Sequence, residues 1–283
     1  MTLAVTMNSA IQSILNFTKV EHTILSLPLL FAGAYLAAGN KIPSISVIVL
    51  ILLAGVGARI LGMSMNRILD KAIDAQNPRT CKRELVTGRL STTQALGIAG
   101  VGLGLYLCAC FLLNPLCLVL SPIPAIVLTT YSLLKRFTPL CHFGIGLSLA
   151  LAPAGAYLAV TGNFSIDSEL YLLSGFTFFW ISGFDIIYAL QDIAFDKSHG
   201  VHSIPAALGF RGAILTAALC HTTAITLLLI IAFTNYDGME VLIPLAITSV
   251  SFICAYLPFI PLNRRFMPIS AIAGIGGAFV SIF

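Results

Sequence analysis

Residues 45–80 read ISVIVLILLAGVGARILGMSMNRILDKAIDAQNPRT, and the contrast between the two parts of this stretch decides the fold. From 45 to 65 the only charge is Arg59. A continuous apolar run of this length suits a helix crossing a bilayer, which takes roughly 20 residues. It does not alternate, as the strands of a membrane barrel do. The run then ends in Asn66, Asp70 and Asp74, with Arg79, Lys82 and Arg83 close behind.

The whole chain repeats this contrast. Of its 283 residues 58% are hydrophobic and only 9% charged, with a mean hydropathy of +0.98. A soluble domain is about a quarter charged. Apolar runs recur at 23–40, 44–65, 94–114, 116–134, 140–161, 168–190, 212–233, 241–261 and 268–283. They predict an all-α, polytopic membrane bundle of nine transmembrane helices around a central cavity, one domain over 1–283. The first 17 residues lack a basic leader region and read as an interfacial segment rather than a cleaved signal. Glycines at 100 and 104, and again at 274–277, predict close helix packing. The seven cysteines show no metal-ligand spacing and predict no disulfide framework.

Charge placement predicts orientation. Lys19, Arg67, Lys71, Arg79, Lys82, Arg83, Arg89, Lys135, Arg136, Lys197, Arg211, Arg264 and Arg265 fall on one side of the predicted spans. Lys41 stands alone on the other, with Asp167, Glu169, Asp237 and Glu240. Basic loops face the cytoplasm, so the basic side is expected there, in an inner (cytoplasmic) membrane. The net charge of +4 then reflects topology and not nucleic-acid binding.

One pattern occurs twice. The second run ends in Asn66-x-x-x-Asp70-x-x-x-Asp74, and the sixth in Asp185-x-x-Tyr188-x-x-x-Asp192-x-x-x-Asp196. The placement suggests two similar halves, with motifs at 66–74 and 185–196, facing one cavity. On a helix, positions four apart lie on one face, so each motif stacks two carboxylates that repel each other beside hydrocarbon. An all-oxygen set of this kind suits a hard divalent cation. Magnesium fits: the two facing carboxylate pairs, Asp70 with Asp74 and Asp192 with Asp196, would hold two such ions with a diphosphate between them. Lys71, Arg79, Lys82, Arg83, Lys135, Arg136 and Lys197 would neutralise the remaining phosphate charge.

Two other readings stand beside this one. The acids would merely cap helix ends and pair with loop lysines, or they would mark the ion path of a coupled transporter. Arg59 and Asp185 each lie seven residues, about two turns, before their motifs. Arg59 is a candidate to hold an acidic substrate group or the diphosphate. Asp185 is a candidate to orient or deprotonate an acceptor, or to pair with Arg59.

Three segments carry a family resemblance. Asn66-x-x-x-Asp70-x-x-x-Asp74, followed by AQNPRTCKREL and GRLS, resembles the first signature of the UbiA superfamily of intramembrane aromatic prenyltransferases. GFDIIYALQDIAFDKSHGVHSIPAALG, residues 183–209, resembles the second, and YSLLKR, 131–136, the Tyr-x-x-x-Lys-Arg segment between them. The resemblance implies magnesium-dependent transfer of a polyprenyl chain from polyprenyl diphosphate to an electron-rich ring. The five motif residues then form the metal–diphosphate site, and Lys135 and Arg136, with Arg79 and either Lys82 or Arg83, contact the diphosphate. Tyr131 is expected to help fix the diphosphate or the loop around it, and Tyr188 belongs to the substrate set. An apolar lumen, with Phe17, Trp180 and Phe184 as candidates, would house the tail.

The chain also departs from the commoner pattern: KRELVTGRLS places Glu84 and Val86 where many members carry the prolines of Asn-Arg-Pro-Leu-Pro. It is most similar to the quinone branch that uses an aromatic carboxylic acid, 4-hydroxybenzoate or 1,4-dihydroxy-6-naphthoate. Glu21 and His22 are candidates to touch that acceptor, and His199 and His202 to shape a lid.

Overall fold

A computed structural model describes residues 12–19, 23, 26–164, 167–235, 238–262 and 265–282. Glu21, His22, Asp237 and Arg264 lie outside them. Every regular element among the described residues is helical. In order these are α1 (12–18), α2 (Leu27–Ala37), α3 (Ile45–Leu69), α4 (Lys71–Gln76), α5 (Thr92–Leu113), α6 (Pro115–Leu120) and α7 (Pro122–Thr130). A tight 3₁₀ turn (Tyr131–Arg136) leads to α8 (Cys141–Thr161) and α9 (Ser168–Ala189), and a second (Leu190–Asp192) to α10 (Ile193–His199). Then follow α11 (Ile204–Asn235), α12 (Leu242–Cys254) and α13 (Ser270–Val280).

Six helical stretches are long and apolar enough to cross a membrane, and three shorter apolar ones are 10–17 residues long. The short ones, Leu27–Ala37, Met239–Cys254 and Arg265–Val280, coincide with the first and the last two predicted runs. The stretch Pro115–Arg136 is broken where Pro122 lacks an amide proton to continue the α6 ladder. Helix α11 starts at Ile204, earlier than the predicted 212, and bends at Gly209, where φ is +70°.

Helix α9 is the centre of the bundle: 61% of its most apolar window is buried, against 17–33% for the other long helices. It packs on α8 and α11, while α3 packs on α5, and α2 on α8. Close approach depends on glycine at 274–277 as expected, but not at 100 and 104. Gly100 and Gly104 face open space. Gly57 and Gly102 bring α3 and α5 together, since a Cβ on Gly57 would sit 2.6 Å from the Tyr106 nitrogen and one on Gly102 2.7 Å from that of Leu61. In α13, Gly274 and Gly277 leave room for the rings of Trp180 and Phe176.

Three proposed lumen aromatics are packing residues instead. Phe17, Trp180 and Phe184 are fully buried. Phe17 wedges α1 against Leu85, Leu90 and Ala95. Trp180 stacks on Phe176 and donates to the Ser270 carbonyl at 3.1 Å, and Phe184 packs on His221 and Phe252. Burial of such large rings stabilises the bundle more than it could serve a site they do not reach.

Two acids expected on the side away from the bases, Asp167 and Glu169, lie at the end of α9 far from the motifs. Asp167 caps the first turn of α9, accepting from the Glu169 and Leu170 amides at 2.9 and 3.1 Å. The 22 residues of α9 then span about 33 Å to the end carrying Tyr188.

Candidate active site

The motif-one acids hang from the end of α3. The helix breaks at Asp70, yet the backbone still steps in fours, with Asp70 donating to the Asn66 carbonyl at 2.9 Å and Asp74 to that of Asp70 at 2.8 Å. Asn66, Asp70 and Asp74 therefore form the column that their spacing predicts. The α3 end is held by Arg136, whose Nη2 donates to the Leu69 carbonyl at 2.6 Å. Carbonyls there have no partner within the helix, so the guanidinium supplies one.

Each acid meets a donor from elsewhere in the chain. Lys135 Nζ lies 2.5 Å from Asp70 Oδ2, which also accepts from Asn66 at 3.1 Å. Arg83 Nη1 donates to both oxygens of Asp74 at 2.8 and 2.6 Å. Arg79 grips Asp192 with Nε at 3.0 Å and Nη2 at 2.6 Å, donates to the Tyr188 hydroxyl at 2.9 Å, and lies over its ring. Asn77 donates to Asp192 at 3.0 Å, and Ser203 to Asp196 at 2.7 Å. Arg79 and Asn77 follow motif one and Asp192 belongs to motif two, so these bonds tie the two motifs together. Burial pushes the Asp70 carboxyl above its ordinary value, with Lys135 working against the shift. Burial acts to lower Arg79, but its bond to Asp192 outweighs this and holds it above the usual arginine range.

Other predicted site residues divide. Lys82 and Lys197 are exposed beside the site, and Lys71 turns away to the Thr92 hydroxyl at 3.2 Å. Tyr131 lies within electrostatic reach of Arg59, Asp70, Asp185 and Arg83. Arg59 donates to the Lys19 carbonyl at 3.4 Å. The proposed pair between Arg59 and Asp185 is not formed, because α8 packs along α9 and presents His142 instead. His142 Nδ1 lies 2.7 Å from Asp185 Oδ2. Sequence reasoning missed His142, Ser203 and Asn77. The signal for His142 was a titratable side chain at the start of an apolar run.

A cavity of about 250 Å³ runs beneath motif one, with Arg59 as its charged wall. Its remaining lining is mostly aliphatic, including Leu30, Ile51, Ala58 and Leu128, with Tyr106 among them. Among the described residues no three acidic, histidine or cysteine side chains converge as a ready metal site. The donor set nevertheless fits magnesium. It consists of oxygens, and Asp70 Oδ1 is buried with no hydrogen-bond partner among the described residues. A cation would supply what this oxygen lacks.

Helices of this length around paired acids, facing bases and an apolar cavity define a multi-pass membrane protein. The profile of the UbiA prenyltransferase family matches residues 26–279, and the chain belongs to that family of membrane prenyltransferases. The chain is 32% identical over 199 residues to a 4-hydroxybenzoate octaprenyltransferase of Nitrosomonas eutropha, covering 69% of this chain and 67% of that one. It is 34% identical over 184 residues to a 4-hydroxybenzoate solanesyltransferase of Synechocystis, covering 64% and 60%. A UbiA homolog from Aeropyrum pernix K1 superposes with a TM-score of 0.81 at 32% identity, covering 92% of this chain and 96% of that one. One from Archaeoglobus fulgidus, bound to DMAPP and Mg2+, shares the fold, with a TM-score of 0.71 at 20% identity over 95% and 99%.

Proposed function

We propose that this protein transfers a polyprenyl chain from polyprenyl diphosphate to an aromatic acid, 4-hydroxybenzoate or 1,4-dihydroxy-6-naphthoate, in quinone biosynthesis. It does so as one domain over 1–283 with two similar halves and nine transmembrane helices, its site on the cytoplasmic side of the inner membrane. The observation that carries the reading is the meeting of Asp70, Asp74 and Asp192 with Lys135, Arg83 and Arg79, with Asp196 held by Ser203, above an apolar cavity. Relatives named for 4-hydroxybenzoate support the acceptor class.

Asn66, Asp70, Asp74, Asp192 and Asp196 would hold magnesium, which when bound neutralises charge on the departing diphosphate. Lys135, Arg79 and Arg83 already sit on these carboxylates and offer donors to diphosphate oxygens. Tyr188 keeps the Arg79 guanidinium aimed at the site through its hydroxyl and ring. The aliphatic cavity takes the first isoprene units and keeps water from the developing allylic cation. Arg59, in the wall of that cavity, is placed to face an acceptor carboxylate.

The test is transfer of labelled polyprenyl diphosphate in membranes containing the protein, with magnesium and each acceptor offered separately. Product from 4-hydroxybenzoate assigns ubiquinone synthesis, and product from the naphthoate assigns menaquinone synthesis. The transport reading predicts flux of a solute with no covalent product, and product from neither acceptor would remove the proposed substrate class.

A further inference from the structure

Asp185 stands two turns, about 10 Å, inside the bundle from Asp192, on the most buried helix of the protein. Its neighbours Phe184 and Ile186 are fully buried, but its own side chain is 25% exposed. An acid this deep is costly unless something orients it and something uses it. The orienting group is His142 on α8, itself 3% exposed. His142 uses both ring nitrogens. The Ile204 amide donates to Nε2 at 3.3 Å, so Nε2 carries the lone pair and Nδ1 carries the proton given to Asp185 Oδ2 at 2.7 Å.

This tautomer holds Asp185 by its Oδ2. Its second oxygen, Oδ1, accepts no hydrogen bond from any described residue. Tyr131 lies within electrostatic reach of Asp185, and also of Arg59, Asp70 and Arg83. The turn that fixes the tautomer also serves motif two, because Ser203, next to Ile204, holds Asp196. One short loop therefore sets both an acid of the diphosphate site and the partner of Asp185.

We propose that His142 is a positioning residue for the reaction: it holds Asp185 by Oδ2, so that Oδ1 is turned to take the phenolic proton of the acceptor. The inference rests on the proposed function and deepens it. The acceptor O–H proton passes to Asp185 Oδ1, and the phenolate electrons drive a ring carbon onto C1 of the prenyl chain. The C1–O bond breaks with its electron pair leaving on the diphosphate, and the ring becomes a dienone. The proton on the substituted ring carbon then passes to the released diphosphate, while Asp185 returns its proton to the ring oxygen.

Three proteins compared in membranes test this: the parent chain, His142→Phe and His142→Asn. Each is supplied with geranylgeranyl diphosphate, magnesium and either 4-hydroxybenzoate or 1,4-dihydroxy-6-naphthoate. An asparagine amide reaches the place of Nδ1–H, whereas phenylalanine fills the volume without a donor. His142→Phe is expected to lose on the order of 10²-fold in kcat, the usual scale for a positioned proton acceptor. KM for the prenyl diphosphate should stay unchanged, and His142→Asn should recover most of the loss. Equal falls in both variants, no fall in either, or a loss appearing as a raised donor KM would overturn the assignment. If His142→Phe does not accumulate in the membrane, Asp185→Asn replaces it, since its amide oxygen still accepts from His142. That variant is expected to lose kcat on the same scale, and parent-level kcat would overturn the proposal. Absence of product from the parent chain with either acceptor would overturn the substrate reading and this inference with it.

Discussion

Asp70 is 2% exposed, and Lys135 is the cation that compensates it. Removing one partner of a buried pair leaves a charge with neither water nor counter-ion, a loss of about 3–5 kcal/mol. Lys135→Ala should therefore lower thermal stability in detergent and also raise KM for the prenyl diphosphate. Arg136 is bonded differently, to the Leu69 carbonyl at the end of α3. Arg136→Ala should lose about 1 kcal/mol, the worth of one such bond, and raise that KM less than Lys135→Ala does. The reverse order of KM effects would show that Arg136 leaves Leu69 to grip the diphosphate. The motif acids were legible because fours along a helix make a column, and an acid column beside hydrocarbon demands cations. Their individual partners were not legible. Arg79 reaches Asp192 across 113 positions, and His142 reaches Asp185 across 43, which no local spacing encodes.

Helix pairs follow the small residues that face one another, and spacing alone does not reveal the facing. Gly102 lies two positions from both Gly100 and Gly104, which puts it on the opposite side of α5, the side that meets α3. Gly102→Leu forces the α3 backbone away from α5 and should cost about 1–3 kcal/mol or more. Thermal unfolding in detergent checks it, and Gly100→Leu, at an open position, should change little. Gly209 stands at φ +70° where α11 bends, a conformation that a side chain strains by about 1–3 kcal/mol. Gly209→Ala should lower stability on that scale, whereas an unchanged transition would mean the bend relaxes freely. Length and apolarity made the helices readable, but the break before Pro122 splits a run that looks continuous by hydropathy, and α11 extends past the bend at Gly209 beyond the run that begins at 212.

Across the whole molecule, bases crowd the end of the bundle that holds the motifs, and Asp167 caps the far end of α9. The apolar cavity beneath Asn66 extends away from that basic end, so a substrate with a charged head and a hydrocarbon tail has one way to lie. Hydropathy and charge placement disclosed this polarity before any contact was known. They did not disclose that the large aromatics serve packing, because Trp180 and Phe176 meet α13 only in three dimensions. Chelation of magnesium should stop prenyl transfer and re-addition restore it, while transfer unaffected by chelation would exclude a metal role. The most direct measurement is product formation from labelled polyprenyl diphosphate, magnesium and both acceptors, comparing parent membranes with Asp70→Asn and Asp192→Asn membranes of equal protein content. The account predicts prenylated aromatic acid from the parent and none from either variant. Undiminished product from Asp70→Asn or Asp192→Asn would contradict it.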